Sequence, residues 1–334
     1  MWRVLVAGKI HAAGMEVLKG RPDLEVVVID DPSAQIPAEE VARSNAVLIR
    51  YGVLSTAAVT GARGLRVVSR HGVGCDNLPV AALSALGIPV AIVGPVNAVS
   101  VAEQAFAMML AAIKQVAQYD RAVRRGDWLM RDSLATRELA GKMLMLLGFG
   151  RVGREVAKRA RAFDMDVLAF DPYVDSGIME AAGARKTENW REDLARIDVL
   201  SIHLPLSAET RNIVDAGVLA ELKPTAIVIN TARGGLIDED ALYRALTTGM
   251  VDGAAALDTF AVEPPCADNP LFTLPNVVLS PHSASLTKEA AERMGVVAAR
   301  NVIAGLEGTL DPELIFNRKA LEAARIRWGG RGTA

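Results

Sequence analysis

The sequence predicts an α/β protein made of two doubly wound parallel-sheet domains, and three observations support that prediction. Short β-branched runs alternate with helical stretches along the chain, as they do in parallel α/β folds. The runs are nearly continuous in apolar residues, which is typical of strands buried on both faces of a sheet. A long helical stretch at 100–126 separates the runs into two series. We therefore expect two α/β units.

The first series contains five strand candidates, with helix candidates between them. Strands are expected at 3–8, 24–30, 46–51, 65–70 and 88–94, with helices at 37–44 and 78–87. The stretch 100–126 is predicted to be one helix, with Ser100 and Glu103 forming a capping box at its start. Its Ala- and Met-rich face suits a spine between domains or a dimer contact. The second series predicts strands at 142–148, 165–171, 199–204, 226–232, 253–260 and 276–282, and a final helix at 287–308.

Composition limits the function classes. The 334 residues are 51% hydrophobic and 23% charged, which is enough for two domains with buried cores. A formal net charge of -2 argues against a nucleic-acid partner, which usually binds basic proteins. Cys75 and Cys266 are far apart, so we expect a reducing, cytoplasmic compartment with neither a disulfide nor a metal site. No apolar run approaches the ~18 residues of a membrane span, so no membrane partner is expected.

A glycine-rich turn predicts a dinucleotide site. Gly148, Gly150 and Gly153 form G-x-G-x-x-G between an apolar strand and a helix candidate, the context that this motif requires. The glycines allow a tight turn, close approach of a pyrophosphate and helix–strand packing. Asp171 ends the next strand, where a carboxylate accepts hydrogen bonds from the ribose hydroxyls. Because Asp171 would repel an extra phosphate and no Arg directly follows it, NAD is favoured over NADP.

Three further strand ends carry Arg233, Asp258 with Glu263, and His282. Each residue alone could be structural: Arg233 a surface ion pair, Glu263 a turn carboxylate and His282 a satisfied polar group. The carboxyl ends of the strands in such a sheet form one ligand crevice, so we expect these side chains to converge.

Together these side chains suit hydride transfer between NAD and a 2-hydroxy acid. Arg233 would hold the substrate carboxylate and polarise the carbonyl, because its guanidinium is a rigid fork. His282 would exchange the proton, the usual work of an imidazole. Glu263 beside it would orient the ring and favour its protonated form.

The chain resembles the D-isomer-specific 2-hydroxyacid dehydrogenase family, and most closely its phosphoglycerate-dehydrogenase-like branch. The resemblance spans nearly the whole chain and rests on SRHGVGCDNL (69–78), NAVSVAEQ (97–104), LLGFGRVG (146–153), SIHLPLSAETRNIV (201–214), INTARGGLID (229–238), ALDTFAVEPP (256–265) and SPHSAS (280–285). It implies a Rossmann NAD-binding domain (97–286) inserted into a flavodoxin-like substrate domain (1–96 and 287–334). It also implies a homodimer that forms through the long-helix region.

The resemblance implies roles position by position. The family's catalytic Arg, Glu and His are matched by Arg233, Glu263 and His282. The implied NAD contacts are Gly148, Gly150, Arg151, Val152, Gly153, Asp171, His203, Pro205, Thr231, Ala232, Arg233, Asp258, His282 and Ser285. The implied substrate contacts are Arg50, Arg70, Asn97 and the backbone of Val73 and Gly74.

The substrate stays open at this point. Arg50 and Arg70 match arginines that meet a substrate phosphate in the phosphoglycerate enzymes, but both could equally serve local carboxylates. Hydroxypyruvate or glyoxylate reduction is the alternative, and an NAD-sensing scaffold or corepressor is the alternative of another class. His71 stands where the family commonly has a small residue, so we expect a reshaped pocket. The chain ends shortly after Glu313, from which we expect no feedback inhibition by serine.

Overall fold

The computed structural model describes residues 1–31 and 35–324, which form two compact units. The first unit comprises Met1–Asn97 together with the described residues from Thr287 onwards, and the second comprises Ala98–Leu286. Asn97 thus lies with the first unit, one residue from the boundary expected from the sequence.

The first unit contains a five-stranded, fully parallel sheet. Its strands are β1 (Trp2–Ala7), β2 (Leu24–Ile29), β3 (Ala46–Ile49), β4 (Val67–Arg70) and β5 (Val90–Ala91). Its helices are α1 (Ala12–Lys19), α2 (Ala38–Ala42), α3 (Thr56–Gly61), α4 (Val80–Ala85), α11 (Lys288–Glu307) and α12 (Arg318–Ala323), numbered in chain order. The strand order β2-β1-β3-β4-β5 is the flavodoxin-like order, which confirms the predicted fold of this part.

Helix α11 returns the chain to the first sheet, close to the predicted range. Thr287 caps its start by accepting a hydrogen bond from the N–H of Ala290 at 3.1 Å, and Gly308 ends it in the left-handed conformation, with φ at 75°. A Cβ at Gly305 would lie 2.5 Å from the side chain of Val67, so glycine allows α11 to pack directly on β4. Within residues 1–31 and 35–324, no helix combines the length and apolar character that crossing a membrane requires.

The second unit contains a seven-stranded parallel sheet. Its strands are β6 (Met143–Leu147), β7 (Asp166–Phe170), β8 (Arg185–Lys186), β9 (Val199–Ile202), β10 (Ile227–Asn230), β11 (Ala254–Leu257) and β12 (Val277–Leu279). Its helices are α5 (Ala98–Ile113), α6 (Val116–Arg124), α7 (Arg151–Ala162), α8 (Ser176–Ala181), α9 (Ala216–Glu221) and α10 (Glu239–Thr248). The order β12-β11-β10-β9-β6-β7-β8 places the switch point between β6 and β9, as in a Rossmann fold, and confirms that prediction.

Strand β6 shows why its sequence is apolar throughout. Leu144 and Leu146 pack into the core on one face of the sheet, whereas Met145 and Leu147 pack into a separate core on the other face. Side chains alternate between faces along a strand, so a strand covered by helices on both sides must be apolar at every position.

The predicted single helix at 100–126 is wrong, because the segment forms two helices, α5 and α6. Gln115 breaks it, with a left-handed φ of 49°. Helix α5 is buried along much of its length, but α6 carries mostly exposed residues. Ser100 lies inside α5 and is buried, so the predicted capping box is also wrong. Glu103 instead pairs with Arg159 of α7 at 3.1 Å.

Candidate active site

Six strands of the second unit end in register, which places many of the predicted site residues on one edge. The aligned strand ends are Phe170, Leu147, Ile202, Asn230, Leu257 and Leu279. The residues that directly follow them are Asp171, Gly148, His203, Thr231, Asp258 and Ser280. Because all these strands are parallel, these residues share the carboxyl edge, where doubly wound sheets bind ligands.

The three glycines of the turn after β6 have the geometry that a dinucleotide needs. Gly148 has a φ of +96°, and a Cβ there would lie 2.6 Å from the carbonyl oxygen of His203. A Cβ at Gly153 would lie 2.4 Å from the carbonyl oxygen of Gly148. Apart from Gly150 itself and its two chain neighbours, no heavy atom of the described residues lies within 4 Å of its Cβ position, and Gly150 directly precedes α7. Two glycines thus allow close packing, and the third leaves open backbone at a helix N-terminus, where a pyrophosphate can bind.

Asp171 lies beside this turn. Its carboxylate accepts hydrogen bonds from the N–H groups of Phe149 and Tyr173, both at 2.9 Å. Each oxygen keeps a second lone pair for a ribose hydroxyl. Arg151 and Val152 begin α7, with Arg151 exposed and Val152 packed partly against the core. The residues at this end of the sheet therefore fit the adenosine half of a nicotinamide dinucleotide.

His203 supports the glycine turn with its backbone. Its N–H donates to the carbonyl oxygen of Leu147 at 2.7 Å, and its Nε2 lies 2.9 Å from Oγ of Ser201. Burial lowers the pKa of His203 to about 4, so the ring is neutral at pH 7. Pro205 is exposed, and its carbonyl oxygen accepts a hydrogen bond from the hydroxyl of Thr210 at 2.7 Å.

Asn230 fixes the turn that carries Arg233. Its side-chain oxygen accepts from the N–H of Ala232 at 3.0 Å, and its side-chain nitrogen donates to the carbonyl oxygen of Arg233 at 2.7 Å. A Cβ at Gly234 would lie 1.7 Å from the carbonyl oxygen of Phe260, so the turn packs directly against the segment after β11. Two predicted catalytic segments are thereby brought together. Thr231 is buried at the start of the same turn.

His282 and Glu263 form a direct pair. Nδ1 of His282 lies 2.7 Å from Oε2 of Glu263, whose Oε1 accepts a hydrogen bond from the N–H of Phe260 at 3.0 Å. Partial burial opposes ionisation of Glu263, but the bonds from His282 and Phe260 and the charge of Arg233 lower its pKa. His282 is 44% exposed, so its Nε2 can exchange a proton while Nδ1 stays on the carboxylate. The structure therefore brings Arg233, Glu263 and His282 together.

The backbone of His282 is held in an unusual conformation. Its φ is 50°, which is uncommon for a residue with a side chain and costs on the order of 1–3 kcal/mol. Its N–H donates to the carbonyl oxygen of Asp258 at 2.7 Å. Asp258 is fully buried, and its carboxylate accepts hydrogen bonds from the hydroxyl of Ser280 and from the N–H groups of Ser283 and Ala284. The predicted NAD contact of Asp258 stays a prediction, as does that of Ser285, which lies half-buried in the following turn.

The predicted substrate residues Arg50 and Arg70 follow or end strands of the first sheet. The guanidinium of Arg70 donates to the carbonyl oxygens of Gly74 at 2.8 Å and Ile49 at 3.1 Å, and also to that of Arg50. Arg50 donates to the carbonyl oxygen of Lys9. Arg70 thus supports the loop that contains Val73 and Gly74. The substrate contacts of these residues, and that of the buried Asn97, stay predictions.

His71 is buried directly after β4. Only 6% of the residue is exposed, and its Nε2 has no hydrogen-bond partner in the described part of the chain. Burial, together with the charges of Arg50 and Arg70, lowers the pKa of His71 to about 4. The ring is therefore neutral at pH 7.

Sequence reasoning missed the residues that hold the predicted site in place. Asn230 pins the Arg233 turn, and Ser280 and Gln104 contact each other beside the His282 loop. Asn230 and Ser280 end or follow strands that are in register, so a comparison of strand ends would have identified both. Gln104 lies far away in the sequence and gave no such signal.

Comparisons with known proteins place this geometry in a family. Residues 106–284, more than half of the chain, match the D-isomer specific 2-hydroxyacid dehydrogenase NAD binding domain. The chain is 36% identical over 316 residues to the D-3-phosphoglycerate dehydrogenase of Methanocaldococcus jannaschii, covering 94% of this chain and 59% of that protein. It is 39% identical over 313 residues to the D-3-phosphoglycerate dehydrogenase of Mycobacterium leprae, covering 93% of this chain and 58% of that protein. The chain thus spans less than two thirds of the length of these curated relatives.

Solved structures show the same architecture. A glyoxylate reductase from Paecilomyes thermophila superposes with a TM-score of 0.82 at 29% identity, covering 92% of this chain and 95% of that one. An NADPH-dependent glyoxylate/hydroxypyruvate reductase from Sinorhizobium meliloti, in complex with NADP and malonate, superposes with a TM-score of 0.84 at 26% identity, covering 99% of both chains. The chain belongs to the D-isomer specific 2-hydroxyacid dehydrogenase family.

Proposed function

We propose that the protein is an NAD-dependent D-2-hydroxyacid dehydrogenase that interconverts a small 2-hydroxy acid and its 2-keto acid. The observation that carries this proposal is the 2.7 Å contact between His282 and Glu263, within reach of the charge of Arg233. This group lies on the carboxyl edge of the sheet that also carries the open glycine turn at Gly150.

In this proposal each catalytic side chain has one task. The bound nicotinamide dinucleotide supplies or accepts the hydride. Arg233 binds the substrate carboxylate and polarises the carbonyl, which its planar guanidinium does well. Nε2 of His282 donates a proton to the carbonyl oxygen in reduction and takes the hydroxyl proton in oxidation. Glu263 holds Nδ1 of the ring and stabilises the imidazolium.

We further propose that NAD is preferred over NADP. The carboxylate of Asp171 is fixed by two backbone N–H groups, so it cannot easily turn away from a ribose phosphate. Pro172 and Tyr173 follow it and provide no cation for that phosphate. Asp171→Ser should therefore raise the ratio of activity with NADPH to activity with NADH, measured as kcat/KM for each cofactor.

Two substrate classes are candidates. Phosphohydroxypyruvate is supported by the 36–39% identity to proteins named D-3-phosphoglycerate dehydrogenase. Hydroxypyruvate or glyoxylate is favoured by one geometric observation: the guanidinium of Arg70 is engaged by backbone carbonyls of the first unit. An Arg used in this way supports a loop and has fewer donors for a phosphate.

A panel assay tests the proposal. NADH and NADPH oxidation are followed with phosphohydroxypyruvate, hydroxypyruvate, glyoxylate, pyruvate and oxaloacetate. We expect turnover with at least one of them, and loss of that turnover in Arg233→Ala. Arg318→Ala, the same change at a partly exposed arginine of α12, is the matched control and should keep wild-type kcat. A protein that binds NADH but turns over none of the acids would instead be an NAD-sensing scaffold.

The assembly is proposed to be a homodimer. Large apolar side chains are exposed on and after α6, namely Val116, Val123, Trp128, Leu129 and Leu134. Exposed apolar patches of this kind commonly mark protein interfaces. Light scattering after size exclusion should give twice the chain mass of 35.5 kDa, and Leu129→Glu should shift it toward the single chain. A wild-type mass of one chain would contradict the proposal.

A cytoplasmic location is also proposed. Within the described residues, neither the buried Cys75 nor the exposed Cys266 forms a disulfide, which suits a reducing compartment. Fractionation of the cells that make the protein should find it with cytosolic markers, and recovery in the exported fraction would contradict this.

A further inference from the structure

Ser280 connects helix α5 to the loop that carries His282. Its Oγ accepts a hydrogen bond from Nε2 of Gln104 at 3.2 Å and donates to the carboxylate of Asp258. Its own N–H donates to the carbonyl oxygen of Leu257 at 3.0 Å. A chain of hydrogen bonds therefore runs from a buried helix, through Ser280, to Asp258.

Asp258 in turn accepts hydrogen bonds from three successive N–H groups, those of residues 282–284. Its carboxylate accepts from the N–H of Ser283 at 2.9 Å and from that of Ala284 at 3.0 Å. Its carbonyl oxygen accepts from the N–H of His282 at 2.7 Å. A fully buried carboxylate is tolerated only when its lone pairs are satisfied, so these bonds and the one from Ser280 depend on each other.

We infer that Ser280 is a positioning residue for His282. By donating to Asp258, its hydroxyl keeps the carboxylate aimed at the N–H groups of Ser283 and Ala284. Those bonds in turn keep the backbone of His282 at its φ of 50°, with the ring directed at Glu263. Without the hydroxyl, the carboxylate turns to satisfy its lone pair elsewhere, and the segment 282–284 relaxes away from the left-handed conformation.

The kinetic consequence rests on the proposed function, because it uses the role of His282 in proton exchange. Ser280→Ala should lower kcat at least about tenfold, because small displacements of a catalytic group are costly. The Kd for NADH, measured by fluorescence titration, should rise by a much smaller factor than kcat falls, since the glycine turn that would hold the pyrophosphate is unchanged. Ser280→Thr keeps the hydroxyl and should restore kcat. Ser283→Ala, the same substitution in the same loop, keeps its N–H bond to Asp258 and should leave kcat unchanged.

Residue-resolved hydrogen exchange provides a readout that needs no activity. In Ser280→Ala the amides of His282, Ser283 and Ala284 should exchange about tenfold faster than in wild type. The amide of Val218, which Asp215 caps at 2.9 Å, serves as the internal reference and should not change. Unchanged exchange at 282–284, or unchanged kcat in an active enzyme, overturns the inference. Faster exchange in a protein that reduces none of the acids supports the positioning role and rejects only the proposed activity.

Discussion

Two histidines at the carboxyl edges of the two sheets differ in their surroundings. His282, in the second unit, is 44% exposed and pairs with Glu263 at 2.7 Å. His71, in the first unit, is buried, is affected by the charges of Arg50 and Arg70, and has an Nε2 without a partner in the described residues. A carboxylate partner and access to solvent suit one imidazole to proton exchange, whereas burial among cations keeps the other neutral. The position at a strand end therefore does not decide the role, and the partners do.

The largest expected effect is on kcat and tests the difference between the two histidines directly. His282→Ala should lower kcat by about 10²–10⁴, the range typical for loss of a general acid–base group. His71→Ala should change kcat far less, because a neutral, buried ring does not exchange protons at pH 7. Steady-state kinetics with the best acid of the panel measure both. Equal losses in the two variants would show that the two histidines do not differ as argued.

The next effect is on stability and comes from His71. An unfolded histidine binds a proton below a pKa of about 6.5, whereas folded His71 does so only near 4. The unfolded state therefore binds more protons between these values, and the free energy of unfolding falls as the pH drops from 6.5 to 4. The loss attributable to His71 is on the order of 3 kcal/mol.

Urea unfolding at a series of pH values measures this loss. His71→Asn should reduce the slope between pH 6.5 and 4, and the slope that remains should come partly from His203, whose pKa is also lowered to about 4. An unchanged slope in His71→Asn would mean that His71 titrates normally in the folded protein.

A smaller expected effect on stability comes from Glu263, the carboxylate partner of His282. Its pKa is lowered in the folded protein, so ionised Glu263 stabilises the fold above its unfolded pKa of about 4.5. That contribution is lost as the pH falls through the lower folded value. Because 36% of the side chain is exposed, solvent screens the pair and the effect on stability should be modest. Thermal unfolding of Glu263→Gln should show a Tm that falls less steeply in acid than the wild-type Tm.

Much of the fold follows from the sequence, because its strands are buried on both faces and must be apolar. Strand β6 shows this plainly, since its successive residues pack alternately into the cores on the two faces of the sheet. The break at Gln115 could not be predicted, because a left-handed residue that is neither Gly nor Asn leaves no signature. Strand β8 is a two-residue pair of basic residues, so it has no hydrophobic pattern to detect.

Many residues of the candidate site could be predicted from the sequence for a related reason. Gly148, Arg233 and Asp258 each follow a run that is recognisably a buried strand, and parallel strands end at one edge. What could not be inferred is how those side chains are supported. Arg70 donates to three carbonyl groups, and Ser280 contacts Gln104, a residue 176 positions away. Such contacts depend on packing between elements, which spacing along the chain does not encode.

The smallest expected effect extends the comparison to hydroxyls. Thr259 is 1% exposed, and its Oγ1 has no hydrogen-bond partner within residues 1–31 and 35–324. Like Nε2 of His71 it is a buried, unsatisfied polar atom, although Thr259 directly follows Asp258 of the candidate site. Thr259→Val removes an unsatisfied group at nearly constant shape and should raise the free energy of unfolding by about 1 kcal/mol. Thr231→Val is the matched control, because Thr231 is also buried without a partner but lies at a predicted NAD contact. Both variants should be stabilised in urea unfolding, but only Thr231→Val should bind NADH more weakly. If Thr259→Val is destabilised instead, its hydroxyl has a partner such as a bound water, and a lack of partners would not distinguish structural from functional polar groups at this edge.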